Sequence, residues 1–390
     1  MIIFIISFIF LFLSFLGYQK DKSIISPLFI MPILWSIFLF LYNIVPHALY
    51  KLEEQFLFSL ILWVTSFLTA GYIINSQHYS AKIFNQEFDL YNSTVFNLFF
   101  FAVLFLAPLA LSLLVVEAMK VGIEYFFLRL RVINTGLDED DTFSLGILAY
   151  IFNFTNIVLL LFTFYKEKIS NFKYYTVLIL QLLLGLVTLA RTSLVVLILS
   201  IFVILYFKKL LKKSHYIGGI IVLFLFIFLI TFLREFHESN SSATSELAIY
   251  LFAGMPAFDT ISYRFQEQFG SYTFRFFYAI LNSFGGDYVV EKTILPYTNI
   301  PDLTNVYTVM FPFFKDFGYK GILFFGFLYG LVANLLFKYA LRNNSFSIIG
   351  YSVIFPILLL QFFGEYLFSN LSTYLQFIII LLIPKLLKFK

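Results

Sequence analysis

The sequence has no cysteine among its 390 residues, which excludes disulfide bonds, thiolate nucleophiles and cysteine-bound metals. Histidine is scarce as well: there are four, and no two of them have the spacing of metal ligands. The chain contains neither a P-loop nor a dinucleotide-binding fingerprint, and its longest polar loop contains no Asp-x-Asp pair. We therefore expect no cofactor, no metal and no chemistry driven by cytoplasmic nucleotides.

Charged residues are also few, at 12% of the chain, while apolar residues make up 61% and the mean hydropathy is +0.91. Soluble globular proteins contain about 25% charged and about 45–50% apolar residues. Several stretches contain the roughly 18–20 apolar residues needed to cross a bilayer. The composition predicts an all-α polytopic membrane protein with a single integral membrane domain over residues 1–390.

The apolar runs predict eleven transmembrane crossings. They are Met1–Leu16, Ile24–Val45, Phe56–Ile74, Val95–Val116, Phe143–Phe164, Tyr174–Leu189, Thr192–Phe207, Tyr216–Leu233, Gly321–Tyr339, Phe346–Phe363 and Leu371–Leu387. The sixth and seventh form one run of 34 residues whose single charge is Arg191. Lysine-rich loops flank this run on both sides, so it is predicted to cross twice, as two short helices that meet near Arg191 at the outer face.

Basic residues divide unevenly between the two predicted faces. The loops on one side of the membrane carry fifteen basic and four acidic residues, whereas the other side has eleven basic and eighteen acidic residues. Because basic residues mark the cytoplasmic side, the N-terminus is predicted to be outside and the C-terminus cytoplasmic. The first apolar run has no basic residue ahead of it and no cleavage site, so we expect a retained helix rather than a signal peptide.

The longest predicted loop, residues 234–320, lies on the outer face. It is not uniformly polar, because Leu247–Phe258, Tyr272–Phe284 and Tyr307–Phe314 are short apolar, aromatic segments. These segments are too short to span a bilayer, so we expect interfacial or re-entrant helices. Loops of this length are usually functional.

Arginine and lysine are distributed differently. Six of the seven arginines lie on the predicted outer face, whereas fourteen of the nineteen lysines lie on the cytoplasmic face. The planar guanidinium suits bidentate contact with phosphate or carboxylate, so Arg191, Arg234, Arg264 and Arg275 are candidates for an anion site. A single arginine at such a position is otherwise a snorkelling or lipid-binding residue. Candidate general bases in the loop are Asp287, Glu291 and His237.

Several short motifs occur in a characteristic order along the chain. They are Leu189–Ser193 at the start of a helix, Arg234 at the mouth of the long loop, Gly254–Asp259, Asn305–Thr308, Asp316–Gly321, and Arg275 followed at an Arg-x10-Gly spacing by Gly286. In this order they resemble the Wzy-type O-antigen and oligosaccharide repeat-unit polymerases of bacterial envelopes. The His-x7-His pattern of some members is absent.

The resemblance implies a GT-C-like membrane glycosyltransferase in the bacterial inner membrane with a periplasmic active site. Such an enzyme polymerises undecaprenyl-pyrophosphate-linked repeat units into the O-antigen of lipopolysaccharide or into capsular polysaccharide. Partners would be this lipid-linked glycan, membrane lipid and a chain-length regulator, with no nucleic acid. Through its motifs the resemblance adds Asp259, Tyr307 and Asp316 as substrate-binding residues.

Three alternatives remain open at this point. An O-antigen ligase performs the same chemistry on a lipid A core acceptor. A flippase would transport the same lipid-linked sugar, but it would more often show internal pseudo-symmetry and charges deep within several helices. A structural or regulatory partner of envelope synthesis is the third.

Overall fold

The structure is a computed structural model that describes residues 1–76, 89–135, 146–188, 191–211, 251–263, 268–292, 294–301 and 303–387. It is 74% helical with almost no sheet, which confirms an all-α membrane protein. Among the described residues, five helices are long and apolar enough to cross a membrane, namely Ile2–Asp21, Pro27–Ile44, Glu54–Ser76, Ser93–Met119 and Phe311–Ala340. Five further apolar helices in this part of the chain are shorter.

The helices of the described chain follow the apolar runs of the sequence. Their bounds are α1 Ile2–Asp21, α2 Pro27–Ile44, α3 Glu54–Ser76, α4 Ser93–Met119, α5 Phe126–Thr135, α6 Gly146–Phe164, α7 Asn171–Val187, α8 Arg191–Phe207, α9 Gly254–Asp259, α10 Arg275–Ser283, α11 Phe311–Ala340, α12 Ser345–Leu359 and α13 Leu371–Leu386. Strands β1 (Thr298–Asn299) and β2 (Leu303–Thr304) form a small antiparallel pair.

Ten of the eleven predicted crossings coincide with helices, while Tyr216–Leu233 lies outside the described residues. The number of crossings itself stays a prediction. The predicted break near Arg191 is confirmed, because α7 ends at Val187 and α8 begins at Arg191. The two helices pack closely, since a Cβ added to Gly185 would lie 2.5 Å from Leu194 Cδ2.

The described chain divides into two compact units. The first comprises Met1–Asn85, Ser241–Tyr339 and Ile354–Leu371, and the second contains the rest. In the second unit α4, α6 and α7 pack against one another, with the rings of Phe96 and Phe162 stacked 5.6 Å apart.

An ion pair lies inside the second unit. The buried carboxylate of Glu117 in α4 accepts from Arg129 at 3.2 Å and from Lys120 at 2.6 Å. Arg129, one of the predicted outer arginines, is therefore held by a carboxylate of its own chain, which ties α5 to the end of α4.

Glycines set the packing of the first unit. Gly326 and Gly330 lie one turn apart on α11 and face α3, where an added Cβ would come within 2.3 Å of Ser66 Oγ and Phe67 O respectively. Small residues at this spacing let two membrane helices approach closely. The contact brings Trp63 of α3 onto Phe313, with ring centroids 5.7 Å apart.

The helix α11 is interrupted at Gly318, whose φ of 60° and ψ of −147° suit only glycine. This kink separates Phe311–Phe317 from the longer apolar part of the helix. Only Phe311–Phe314, the second half of the short segment predicted at Tyr307–Phe314, is helical and forms the first turn of α11, and the predicted crossing that starts at Gly321 is the part after the kink.

The other two predicted short segments are also helical. Within Leu247–Phe258 the structure describes α9, whose residues Gly254 to Phe258 are buried inside the first unit rather than exposed. Within Tyr272–Phe284 it describes α10, in which no residue is buried. The helix α9 is therefore buried and α10 is not, although the two segments have similar apolar, aromatic compositions.

Replacing Gly330 with alanine is expected to destabilise the protein. The added methyl group would collide with the backbone of α3, and overpacking of this kind costs about 1–3 kcal/mol. The measurement is the apparent Tm of the purified protein in detergent, which should fall by several degrees. Gly364→Ala is the matched control, because its Cβ would meet nothing closer than 3.7 Å. Equal Tm values for the two variants would contradict this packing.

Candidate active site

A cavity of about 360 Å³ lies within the first unit, a size typical of small-molecule sites. Its wall is built by the loop between α10 and α11 and by the turn between α12 and α13. The charged lining residues are Arg275, Lys292 and Glu365. The polar ones are Tyr272, Asn305, Tyr307, Thr308, Tyr366, Ser369 and Asn370, and the apolar ones include Leu295, Phe311 and Phe363.

Arg275 is the first residue of α10 and is partly buried at the cavity wall. Its Nε donates to the backbone oxygen of Glu291 at 3.0 Å, which fixes the plane of the guanidinium. Its terminal amino groups have no hydrogen-bond partner among the described residues. Burial lowers its pKa, but a guanidinium remains charged. The group can therefore offer N–H donors to an anion in the cavity.

Asp316 positions the segment that carries Arg275. Its carboxylate accepts from the backbone N–H groups of Tyr272 at 3.3 Å and Thr273 at 2.7 Å, immediately before α10 begins. Asp316 is 8% exposed and is not part of the cavity wall. It acts through the backbone, by fixing the turn that precedes α10.

The Arg-x10-Gly spacing has a structural explanation. Beyond Ser283, the N–H of Gly285 donates to Asn282 O at 3.0 Å and that of Gly286 donates to Leu281 O at 3.0 Å. Gly285 has a φ of 94°, so the two glycines form a Schellman-type C-cap. The spacing from Arg275 to Gly286 is therefore the length of α10 with its cap.

Glu291 and Tyr272 form a pair beside Arg275. The Glu291 carboxylate accepts from Ser271 Oγ at 3.4 Å and lies next to the Tyr272 hydroxyl. Burial, reinforced by the charge of Glu291, raises the pKa of Tyr272 to about 12. Tyr272 therefore keeps its proton at neutral pH and presents a hydroxyl at the cavity wall.

Tyr307 and Thr308 bring further polar groups to the wall. The Tyr307 hydroxyl donates to Pro296 O at 3.0 Å, and its ring packs on Phe311 with centroids 4.5 Å apart. Thr308 is fully buried, and its hydroxyl has no hydrogen-bond partner in the described part of the chain. A buried hydroxyl of this kind can bind a polar ligand that enters the cavity.

Glu365 is a cavity residue that the sequence analysis missed. Its carboxylate accepts from the backbone N–H groups of Leu367 and Ser369, both at 2.7 Å, and Phe368 at 2.8 Å, and from the Tyr329 hydroxyl. Burial raises its pKa, and these hydrogen bonds oppose that effect. The sequence did contain a signal, because Glu365 is the only acidic residue after Asp316. However, Glu365 lies outside the long loop from which the candidate general bases were drawn.

The other predicted site residues are placed elsewhere. Asp287 is exposed beyond the end of α10 and does not line the cavity. Asp259 accepts from the backbone N–H groups of Glu53 at 2.8 Å and Phe56 at 2.7 Å, so it caps the start of α3. The side chain of Arg191 and the whole of Arg234, His237 and Arg264 lie outside the described residues.

No protein-family model, no curated protein and no solved structure matches the chain. The resemblance drawn from its motifs thus stays a prediction. Of the predicted residues, the structure places Arg275 and Tyr307 in the cavity wall, Glu291 next to the wall residue Tyr272, and Asp316 at the turn that precedes α10.

The position of Asp259 predicts a pH-dependent stability. Burial raises its pKa from 3.8 to about 6, although the two N–H donors oppose this. Because the pKa is higher in the folded protein, protonation favours the folded state, and stability should fall as the pH rises through about 6. The measurement is Tm in detergent at acidic and neutral pH, where Asp259→Asn should flatten the decline. Asp287→Asn is the control and should follow the wild type.

A decline in Tm that is identical in all three proteins would show that Asp259 does not titrate in this way. Loss of substrate affinity in Asp259→Asn with an unchanged pH profile would instead support the role that the Gly254–Asp259 motif predicts.

Proposed function

We propose that the protein is a membrane glycosyltransferase that polymerises oligosaccharide repeat units carried on undecaprenyl pyrophosphate. The observation that carries the proposal is the cavity, where the N–H groups of Arg275 that have no partner among the described residues face hydrogen-bonding side chains such as Tyr307 and Thr308. It belongs to a helical membrane protein, so a lipid-linked anion is the ligand that fits both its charge and its surroundings.

The electrostatics of the cavity favour an anion. Two basic side chains, Arg275 and the exposed Lys292, line it with one acidic side chain, Glu365, and the Glu291 carboxylate lies beside Arg275. The oxygens of Glu365 already accept three backbone N–H groups and a tyrosine hydroxyl, which offsets much of its charge. Apolar walls at Leu295 and Phe363 reduce the screening by water around the partly buried Arg275, so a contact of its guanidinium is stronger than it would be at an open surface.

The proposed reaction joins two lipid-linked glycans. A hydroxyl oxygen of the acceptor sugar attacks the anomeric carbon of the donor, and the bond from that carbon to the pyrophosphate oxygen breaks. The lipid pyrophosphate leaves with the electron pair, and Arg275 binds the charge that develops on it. The donor is already activated, so no nucleotide is required.

We assign Glu291 as the general base that accepts the proton of the acceptor hydroxyl. Its carboxylate lies beside the Tyr272 hydroxyl, which is part of the cavity wall. Asp287, the other loop carboxylate singled out by sequence, is exposed and does not line the cavity. The apolar walls limit access of water, which would otherwise hydrolyse the donor.

Replacing Arg275 with lysine should impair turnover although the charge is retained. Lysine lacks the planar fork that holds two oxygens at once. Loss of one such contact is expected to cost about 2–4 kcal/mol of transition-state stabilisation, which is roughly a 30- to 1000-fold loss of rate. The measurement is the polymer ladder formed by the purified protein from lipid-linked repeat units, with Arg131→Lys as the control outside the cavity.

Normal ladders from Arg275→Lys at normal protein levels would refute the pyrophosphate site. If the wild type joined preformed polymer to lipid A core and did not extend repeat units, the protein would be a ligase rather than a polymerase.

Replacing Glu291 with glutamine should slow the reaction by about 10²- to 10⁴-fold, the usual contribution of a general base. Asp287→Asn is a matched control in the same loop and should retain the wild-type rate, because its side chain is exposed. The measurement is the initial rate at saturating donor for both variants. Equal rates would remove Glu291 from the mechanism.

A further inference from the structure

The helix α10 has two chemically different faces. Phe277, Ile280, Leu281 and Phe284 recur at i, i+3, i+4 and i+7, so they lie on one side of the helix and extend one residue past its end. They are 48%, 38%, 45% and 84% exposed, so the described chain leaves much of this side uncovered. Arg275, on the opposite side, is directed to the cavity.

The polar face of α10 is bound to its own loop. Asn282 Nδ2 donates to Tyr288 O at 2.7 Å, and Asn282 Oδ1 accepts from Tyr288 N at 2.9 Å. The Tyr278 hydroxyl donates to the backbone oxygen of Phe269. Together with the Arg275 contact to Glu291, these bonds fix the rotation of the helix. The exposed apolar face is therefore a permanent feature of the fold.

The contacts between the start of α10 and α11 determine the depth of α10 relative to the membrane. Phe274, just before α10, packs on Phe317 and Phe325, with ring centroids 6.0 and 6.3 Å away. Phe325 lies fifteen residues before Ala340, the end of α11, which is roughly 22 Å along the helix at 1.5 Å per residue. With Ala340 at one edge of a hydrocarbon core about 30 Å thick, Phe325 lies roughly 8 Å inside the other edge, so α10 starts close to where α11 enters the membrane.

We propose that α10 is an interfacial helix whose Phe277, Ile280, Leu281 and Phe284 side chains insert into the acyl chains of the bilayer. The occupant of this face is lipid because the helix lies at the end of a membrane-crossing helix. The adjoining exposed side chains are aromatic and apolar, as expected at the bilayer boundary: Phe269, Tyr288 and Val289. Amphipathic helices bind in this way with the apolar face about 5–10 Å deep.

The insertion has a consequence for the cavity. Because Arg275 lies on the side of α10 opposite the lipid-bound face, the cavity is held at the membrane surface. A lipid-linked anion would enter it without leaving the bilayer. This consequence rests on the proposed function, whereas the insertion of α10 does not.

The absence of native cysteine makes a direct test available. Single cysteines are introduced by Leu281→Cys and Phe284→Cys on the apolar face, and by Asp287→Cys in the exposed loop beyond it. Each full-length protein is labelled with a bimane fluorophore and reconstituted into nanodiscs containing brominated phospholipid, which quenches fluorophores within the acyl region. The readout requires no activity.

Labels at positions 281 and 284 should be quenched several-fold more strongly than the label at 287, and their emission should shift to the blue. Equal and weak quenching at all three positions would overturn the proposal. Efficient disulfide crosslinking between two copies of the Phe284→Cys variant would also overturn it, because a second protein molecule would then cover the face. Neither outcome depends on glycan transfer, so failure here is distinguishable from failure of the proposed function.

Discussion

The hydrogen bonds from the backbone of Tyr272 and Thr273 to the Asp316 carboxylate connect the polar loop to the membrane-crossing helix α11. The direction of α10 depends on this contact, because the two donors are the residues just before it begins. The position of Arg275 at the cavity follows, as does the exposure of the opposite face of the helix. One buried carboxylate thus sets both the catalytic geometry that we propose and the proposed contact with lipid.

A carboxylate also accepts hydrogen bonds from backbone N–H groups at two other places in the first unit. Asp259 accepts two backbone N–H groups at the start of α3, and Glu365 accepts three within the turn that follows α12. A chain with 12% charged residues uses these carboxylates to satisfy backbone donors at helix starts and in turns. An acid near a proposed site in such a protein is therefore as much a structural acceptor as a candidate base.

Two of these carboxylates, Asp316 and Glu365, hold segments whose residues line the cavity. Arg275 and Glu365 are 90 residues apart in the sequence, yet both line its wall. The Glu365 carboxylate is hydrogen-bonded to its own turn, whereas the terminal N–H groups of Arg275 have no partner among the described residues. Thr308 adds a buried hydroxyl without a partner in the described chain, which a polar ligand could satisfy.

The sequence by itself determined the helices, because an apolar run long enough to cross a bilayer is a local property that lipid selects directly. It also identified the break near Arg191 and a short helix within Tyr272–Phe284. Only the tertiary structure decided which loop residues meet, since Asp259 and Asp316 look alike in sequence but bind different helices. It likewise revealed Glu365, because a side chain joins a cavity through contacts between distant segments, and residue type and spacing do not encode those contacts.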